Sequence, residues 1–479
     1  RLSIVYLYWK NRNNNPQPKA RFHELPVVTV QLPMFNEKFV VDRLLESVAA
    51  LDYPQDKLEI QILDDSTDDT TEQCYRKVEE LKSLGFDAVC IHRTDSTGFK
   101  EGAMEAATKV AKGEFLLILD ADFVPEPDLL QKTIHFFTDE NVGLVQTRWG
   151  HINREYNLLT RIQGMYLDGH FAMEQTARNR SGRFFTFNGT AGIWRKCVIG
   201  DAGGWSHDTL TEDMDLSYRV QLKGWRFIYL NDVVTPAELP VDMDGFKSQQ
   251  HRWTKGSIQV CQKILLDIWS SNAPLKDKVE ATTHLTCNYS YLLLALLCFL
   301  VYPICTQRIP ENETVFMWFV NVALFFMTSV AVCIFYMSAQ IVVRPKSWWK
   351  ELPYLPLLLT LSVGMAVNNA KAVLEAIFGH QSAFVRTPKY GVDRKEDRRH
   401  VSQLKRNGYR AIKSVVIPVL EIACGTFFLN LIIIMIRQGH YLSPILMIPF
   451  LGFYYTGFCS LGRMISNLLP AKQTAKAKN

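Results

Sequence analysis

Phe115-Leu-Leu-Ile-Leu-Asp120-Ala-Asp122 decides the fold class of this chain. Five apolar residues followed at once by two carboxylates flanking one alanine read as a buried strand with an acidic tip. The pattern recurs upstream. Val27 to Leu32 is β-branched and ends at Pro33, Leu58 to Leu63 ends at Asp64-Asp65, and Ala88 to His92 is strand-like. Between these runs, Val40 to Leu51, Thr70 to Leu84 and Gly102 to Ala111 carry helical periodicity. Strand and helix in alternation predict a mostly parallel sheet with crossover helices. In such sheets ligands lie beyond the carboxyl ends of the strands. Those ends carry Asn36-Glu37, Asp64-Asp65 and Asp120-Ala-Asp122, so three strands deliver acidic or amide groups to one edge. No GxGxxG or GxxxxGK[ST] occurs, which gives dinucleotide and P-loop sites little support.

The chain has 479 residues, too many for one compact core by the usual domain scale. Its 53 Lys+Arg against 48 Asp+Glu leave a net charge of +5, too small for a nucleic-acid partner. The 28 Phe, 18 Tyr and 10 Trp exclude a disordered chain. The ten cysteines form no CxxC pair, so a zinc knuckle or thioredoxin-type motif is absent, and those in apolar runs read as buried thiols.

Charge is concentrated before residue 280. Beyond it, Cys287 to Cys305, Val315 to Val343, Ile412 to Ile436 and Tyr441 to Ile465 are each about long enough to cross ~30 Å of hydrocarbon as a helix. Glu421, deep in the third run, is expected to face protein or water. Leu2 to Trp9 reads as the end of a further membrane helix and not as a signal peptide, because Lys10 and Arg12 follow the apolar residues. The basic loop from His380 to Arg410 and the tail with Lys472, Lys476 and Lys478 belong on the cytoplasmic side. Parity then makes Leu352 to Phe378, which carries Asn368, Asn369, Lys371 and Glu375, an interfacial or re-entrant helix. The resulting division is 1–10, membrane helix end; 21–255, cytosolic α/β domain; 256–280, interfacial amphipathic region; 281–343, two crossings; 344–411, interfacial helix and cytosolic loop; 412–470, two crossings; 471–479, basic tail.

Three motifs carry chemistry. Asp120 and Asp122 at a strand end can approach a hard cation, Mg²⁺ or Mn²⁺, together with the oxygens of a diphosphate. Thr211-Glu212-Asp213 opens an apparent helix; it reads either as a cap with acids in the first turn or as a general base for an attacking hydroxyl. Gln249-Gln-His-Arg-Trp253 offers a guanidinium for phosphate and a flat indole for a sugar ring, or else a basic interfacial helix.

In order, Pro33-Met-Phe-Asn-Glu37, Asp64-Asp65-Ser66, Gly98-Phe-Lys-Glu-Gly102, Asp120-Ala-Asp122, Phe187-Asn-Gly-Thr190, Thr211-Glu-Asp213 and Gln249-Gln-His-Arg-Trp253 resemble the processive, membrane-integrated family 2 glycosyltransferases, the cellulose synthase-like group. Phe187 to Arg195 and Glu238-Leu-Pro240 look closest to the plant mannan and xyloglucan-backbone branch, and Phe384-Val-Arg-Thr-Pro-Lys389 resembles the gating loop of cellulose synthase. The resemblance implies a GT-A-type α/β domain followed by a transmembrane and interfacial helical region. By position it assigns Asp213 as base with Glu212 in support. Glu37, Asp64, Lys100, Asp120, Gln249 and Arg252 would contact the donor, and Asp120 and Asp122 the metal. Asn188, Gly189, Thr190 and Trp253 would meet the acceptor, and Phe384, Thr387 and Lys389 would gate. It implies an inverting, processive β-hexosyltransferase in the plasma (inner) membrane. The enzyme would use UDP-glucose, by slight preference over GDP-mannose, and pass a growing polysaccharide through its own channel. Asn288, Tyr289, Tyr291, Asn368, Asn369 and Asn430 are candidates to line such a path, or else to hydrogen-bond between helices. The competing readings are a single-sugar glycolipid transferase and a nucleotide-binding transporter or channel. Cyclic-dinucleotide control through a carboxy-terminal domain is not expected.

Overall fold

The computed structural model describes residues 1–95, 97–306, 330–380, 387–393, 415–437 and 444–468. Seven strands, β1 (Val28–Met34), β2 (Leu58–Asp64), β3 (Asp87–His92), β4 (Phe115–Ile118), β5 (Val142–His151), β6 (Gly192–Arg195) and β7 (Arg226–Ala237), form one sheet in the order β3-β2-β1-β4-β6-β5-β7. β1 pairs in parallel with β2 and β4, β2 with β3, and β5 with β7; β6 runs antiparallel to both its neighbours. The sheet is therefore mostly parallel, as the alternation of strand and helix predicts.

Alternation along the strands sends successive side chains into two cores. Val28, Val30, Leu32, Ile60, Ile62, Phe115 and Leu117 pack with Val41, Leu44 and Val48 of the helix Val41–Ala49. Leu63, Leu116, Ile118 and Trp194 pack on the other face with Met104, Ala107, Leu216 and Val220. Each such fully buried side chain stabilises the fold by roughly 1.5–3 kcal/mol relative to exposure. Both faces are thus covered, and only the strand ends remain open for chemistry.

The helix Met243–Ser270 runs 28 residues from an Asp242 cap whose side chain accepts from Gly245 N at 2.9 Å. The domain boundary expected between residues 255 and 256 falls inside this helix, because its polar first half and amphipathic second half share one unbroken backbone. Two described helices, Leu275–Val301 and Val416–Arg437, are long and apolar enough to cross a membrane. They mark the chain as a membrane protein. Val330–Val343 is a shorter apolar helix, and Pro444–Leu468 packs along Val416–Arg437. The stretch from Trp348 to Ile377 is bent by 40° after Gly364, between Leu355–Gly364 and Ala366–Ile377. A Cβ on Gly364 would lie 2.5 Å from the Gly452 carbonyl, so the bend sits where two backbones touch.

Candidate active site

The carboxyl ends of β1, β2 and β4 open into a cavity of about 380 Å³. Asp64 and Asp65 are neighbours in sequence and opposite in role. Asp64 is fully buried; its carboxylate accepts from Ser66 N at 3.1 Å and Thr71 Oγ1 at 2.7 Å, and His92 Nδ1 lies 2.8 Å away. Asp65 lines the cavity, held by the Arg93 fork from Nε at 2.8 Å and Nη2 at 2.5 Å. Beyond β4, Asp120 accepts from Lys100 Nζ at 2.5 Å, and Lys100 also donates to the Gly189 carbonyl at 2.8 Å. The Asp120 amide donates to Thr190 Oγ1 at 2.8 Å. Asp122 accepts from Lys389 Nζ at 2.6 Å, and the same ammonium donates to the Glu238 carbonyl at 2.6 Å. The Glu238 carboxylate in turn receives Tyr390 N at 2.9 Å and Val392 N at 3.1 Å, so it clasps the segment that carries Lys389.

Among the described residues, the positive-φ positions other than glycine are Asn36 (57°), Phe99 (46°) and Ala191 (55°). They follow β1, precede Lys100 and follow Thr190, so all three border the cavity's tips. Backbone strain of this kind persists only where the surroundings over-determine it, and it gathers at functional sites.

The helix Glu212–Leu222 presents its first turn to the same cavity. Thr211 stands at the N-cap without a side-chain capping bond, and Glu212, Asp213 and Asp215 fill the first turn. Asp213 Oδ1 accepts from Met214 N at 2.8 Å, and a Cβ on Gly189 (φ +81°) would lie 3.1 Å from Asp213 Oδ2. Burial first, and the Glu212 carboxylate second, push Asp213 up to about 8. Glu101 lines the same cavity, and burial first and the Glu212 carboxylate second push it up.

Gln249, Arg252 and Trp253 stand at i, i+3 and i+4 of the long helix, on one face, and all three line the cavity. Gln249 Oε1, Thr211 Oγ1 and Thr387 Oγ1 are buried in its wall with no hydrogen-bond partner among the described residues, which suits a polar occupant. Gly256 brings this helix against Thr211: a Cβ there would sit 2.6 Å from Thr211 Cγ2. Trp149, Leu167, Asn188, Thr211, Asp213 and Trp253 also wall a second cavity of about 490 Å³, which reaches Asn288, Tyr291 and Phe335 in the helical region.

Asn188 is fixed from both ends. Gln175 Nε2 donates to its Oδ1 at 2.6 Å, and its Nδ2 donates to His170 Nε2 at 3.0 Å. That requires an unprotonated His170 Nε2, which burial beside Arg178 secures by pushing the imidazole down to about 3; Nδ1–H then donates to Glu174 at 3.2 Å. These partners come from a π-helical turn, Gly169–Gln175, a form frequent at functional sites.

The cavity thus gathers Glu37, Lys100, Asp120, Asp122, Asn188, Gly189, Glu212, Asp213, Gln249, Arg252, Trp253, Thr387 and Lys389 of the residues expected from sequence. Asp64 and Thr190 stand behind its wall as supports, and Phe384 lies outside the described residues. Asp65, Glu101, Glu238 and the His170–Glu174 pair are additional. The i, i+4 spacing of His170, Glu174 and Arg178 was the available signal for the last. Among the described residues no cluster of three or more His, Cys, Asp or Glu side chains is arranged to hold a metal alone. Asp120 and Asp122 supply two oxygen-donor groups, so a hard cation there would need further oxygens from a bound diphosphate.

Residues 26–256 match the model of the glycosyltransferase-like family 2, and this stretch is a family 2 glycosyltransferase domain with a GT-A-type fold. Glucomannan 4-beta-mannosyltransferase 2 of Arabidopsis thaliana is 41% identical over 281 residues, 55% of this chain and 52% of its own length. Glucomannan 4-beta-mannosyltransferase 1 of Oryza sativa subsp. japonica is 41% identical over 256 residues, 52% of this chain and 49% of its own. The chain spans about half the length of these relatives. The mannosyltransferase PcManGT from Pyrobaculum calidifontis, solved with GDP-Man and Mn²⁺, shares the fold at a TM-score of 0.55 and 20% identity, over 79% of this chain and 95% of that one.

Proposed function

We propose that the chain is an inverting β-glycosyltransferase of mannan synthase type, which transfers hexosyl units from a nucleoside-diphosphate sugar onto a growing polysaccharide. The observation that carries this reading is that Asp213 and Trp253 line both the acidic cavity at the strand tips and the second cavity toward the membrane helices. A donor in the first and an acceptor chain in the second would meet at that shared wall.

Asp213, basic enough to accept a proton near neutral pH, takes it from the acceptor hydroxyl. The oxygen attacks the anomeric carbon opposite the leaving diphosphate, which inverts that centre and turns an α-linked donor into a β-glycoside. Lys100, Arg252 and Lys389 bring positive charge to the departing diphosphate. Trp253 and the fixed Asn188 amide orient the acceptor sugar. Mg²⁺ or Mn²⁺ fits the two carboxylates Asp120 and Asp122 and would supply charge neutralisation to the diphosphate when bound.

The mannosyltransferase names of the plant relatives, together with the GDP-Man held by PcManGT, move the proposed donor preference to GDP-mannose, where sequence alone leaned to UDP-glucose. Processive elongation, passage of the product through the helical region and residence in the plasma membrane with the catalytic domain in the cytosol complete the reading. The test is a donor panel on purified protein, scoring nucleoside diphosphate release, followed by digestion of the product with linkage-specific glycanases. Release with no nucleotide sugar in the panel, or a product one sugar long on lipid, overturns the polymerase reading.

A further inference from the structure

His170 has no role in the chemistry above, yet Asn188, which does, leans on it. The direction of every bond between them follows from one backbone oxygen. The Thr186 carbonyl can only accept, so the Gln175 amide atom 2.7 Å from it is the nitrogen, Nε2. That nitrogen also donates to Asn188 at 2.6 Å, so the Asn188 atom there is the oxygen, Oδ1. Asn188 Nδ2 is then the atom 3.0 Å from His170 Nε2, and it donates to that ring nitrogen. The other ring nitrogen keeps its hydrogen and donates to Glu174 at 3.2 Å. Arg178 donates to Glu174 at 3.3 Å and, from Nε, at 3.0 Å to Glu280 on the helix Leu275–Thr286. The His170 ring stands edge-on to Phe171, with centroids 4.9 Å apart, which holds its plane. Asn188 lines both cavities, and among the described residues its Nδ2 makes only the bond to His170.

We propose that His170 is a positioning residue for acceptor binding: by accepting one N–H of Asn188 it fixes that amide as a donor and leaves the second N–H for a hydroxyl oxygen of the acceptor sugar. The inference rests on the reading of the second cavity as the acceptor site. An amide able to turn over would offer its carbonyl oxygen as readily as its N–H, and would hold a sugar hydroxyl in two orientations. Gln175 on one side and His170 on the other allow one. The arrangement needs a neutral imidazole with its hydrogen on Nδ1, and Glu174 supplies the acceptor that selects this tautomer. Leu275–Thr286 opens a candidate membrane span, so Glu280 ties the network to the helical region that the second cavity reaches.

The test compares the full chain with His170→Phe, which keeps a ring but removes the accepting nitrogen, and His170→Gln, whose amide oxygen can accept the same N–H. GDP-mannose is the donor and a β-linked manno-oligosaccharide the acceptor probe. Nucleoside diphosphate release is measured with acceptor KM, donor KM and kcat resolved, and melting temperatures recorded. His170→Phe is expected to raise acceptor KM by about tenfold, the scale of one hydrogen bond, with donor KM within about twofold. His170→Gln is expected to recover most of that loss. In an Asn188→Ala chain, adding His170→Phe should change acceptor KM no further, because both substitutions remove the same contact. If His170→Phe does not fold, His170→Leu takes its place with the same expectations. An unchanged acceptor KM, equal damage from Phe and Gln, or a further loss in the Asn188→Ala chain overturns the proposal. Failure of the underlying acceptor reading would look different: release from the parent chain would not respond to the oligosaccharide at all, and the inference would fall with it.

Discussion

Gly256→Ala adds one methyl at the contact that sets the distance between the proposed base, Asp213, and the proposed acceptor platform, Trp253. The new carbon would lie 2.6 Å from Thr211 Cγ2, 2.7 Å from Thr211 Oγ1 and 2.9 Å from Thr211 N. Carbon contacts are comfortable at about 3.5–4.0 Å. Turning the threonine side chain relieves the first two clashes but leaves the third, which is backbone. The long helix and the Thr211 turn must therefore part by about 0.5–1 Å. Arg252 and Trp253 stand one turn before Gly256, and Glu212 and Asp213 directly follow Thr211, so the separation is delivered to the reacting groups almost undiluted. A misplacement of about 1 Å costs about 10²-fold in rate, or about 2.7 kcal/mol of barrier. The fold should lose only about 1–3 kcal/mol from overpacking. The assay is kcat for nucleoside diphosphate release, alongside the melting temperature and donor affinity. Gly200→Ala is the control, since nothing lies within 4 Å of its new carbon. A folded Gly256→Ala chain with kcat within twofold of the parent would refute the claim that this contact sets the active geometry.

Asp213→Asn should lower kcat by about 10²–10⁴-fold with donor binding retained; near-normal turnover would remove Asp213 as base. Because the base acts only when deprotonated and burial beside Glu212 raises it to about 8, kcat/KM should climb by about a decade per unit below pH 8 and level off above. A rise centred in the ordinary carboxylate range, near pH 4, would contradict that environment. Lys389→Met frees the Asp122 carboxylate from its ammonium partner. Donor-free protein should then bind Mn²⁺ several-fold more tightly, read as free-ion signal in electron paramagnetic resonance, while donor KM rises; unchanged Mn²⁺ binding would place the cation elsewhere.

The strand tips were legible because a buried parallel strand followed by acids leaves one arrangement open. What the sequence left undecided follows from period 2. Asp64 and Asp65 are equivalent as letters, but adjacent side chains point to opposite sides, and only the register of β2 with β1 and β3 puts Asp65 in the cavity and Asp64 behind it. Asn188 in the wall and Thr190 beneath Asp120 are parted in another way, by the left-handed backbone of Gly189 (φ +81°) between them. The π-helical turn was also hidden, since its extra residue breaks no hydrophobic pattern. Glu421 was legible as an anomaly, a charge in an apolar run, but its partner was not.

That partner explains how the membrane half enters the chemistry. Lys247, buried on the long helix, donates to Glu421 at 2.5 Å, to Ser460 Oγ at 2.9 Å and to the Thr456 carbonyl at 3.1 Å, tying the helix to both Val416–Arg437 and Pro444–Leu468. Arg463 reaches back to Asp242 at the helix cap. Eight residues after Lys247, Lys255 donates to the His380 carbonyl at 2.6 Å and faces Glu375 at 3.3 Å, tying the same helix to Ala366–Ile377. Gln249, Arg252 and Trp253 lie between these two anchors. A buried ion pair is weak evidence for net stability, but breaking one strands a charge at a cost of about 3–5 kcal/mol. The anchors therefore resist displacement even where they add little to folding. The indole that would carry the acceptor sugar is thus held by the membrane helices, while the base that would act on it is held by the sheet, and the Gly256–Thr211 contact is where the two frames meet.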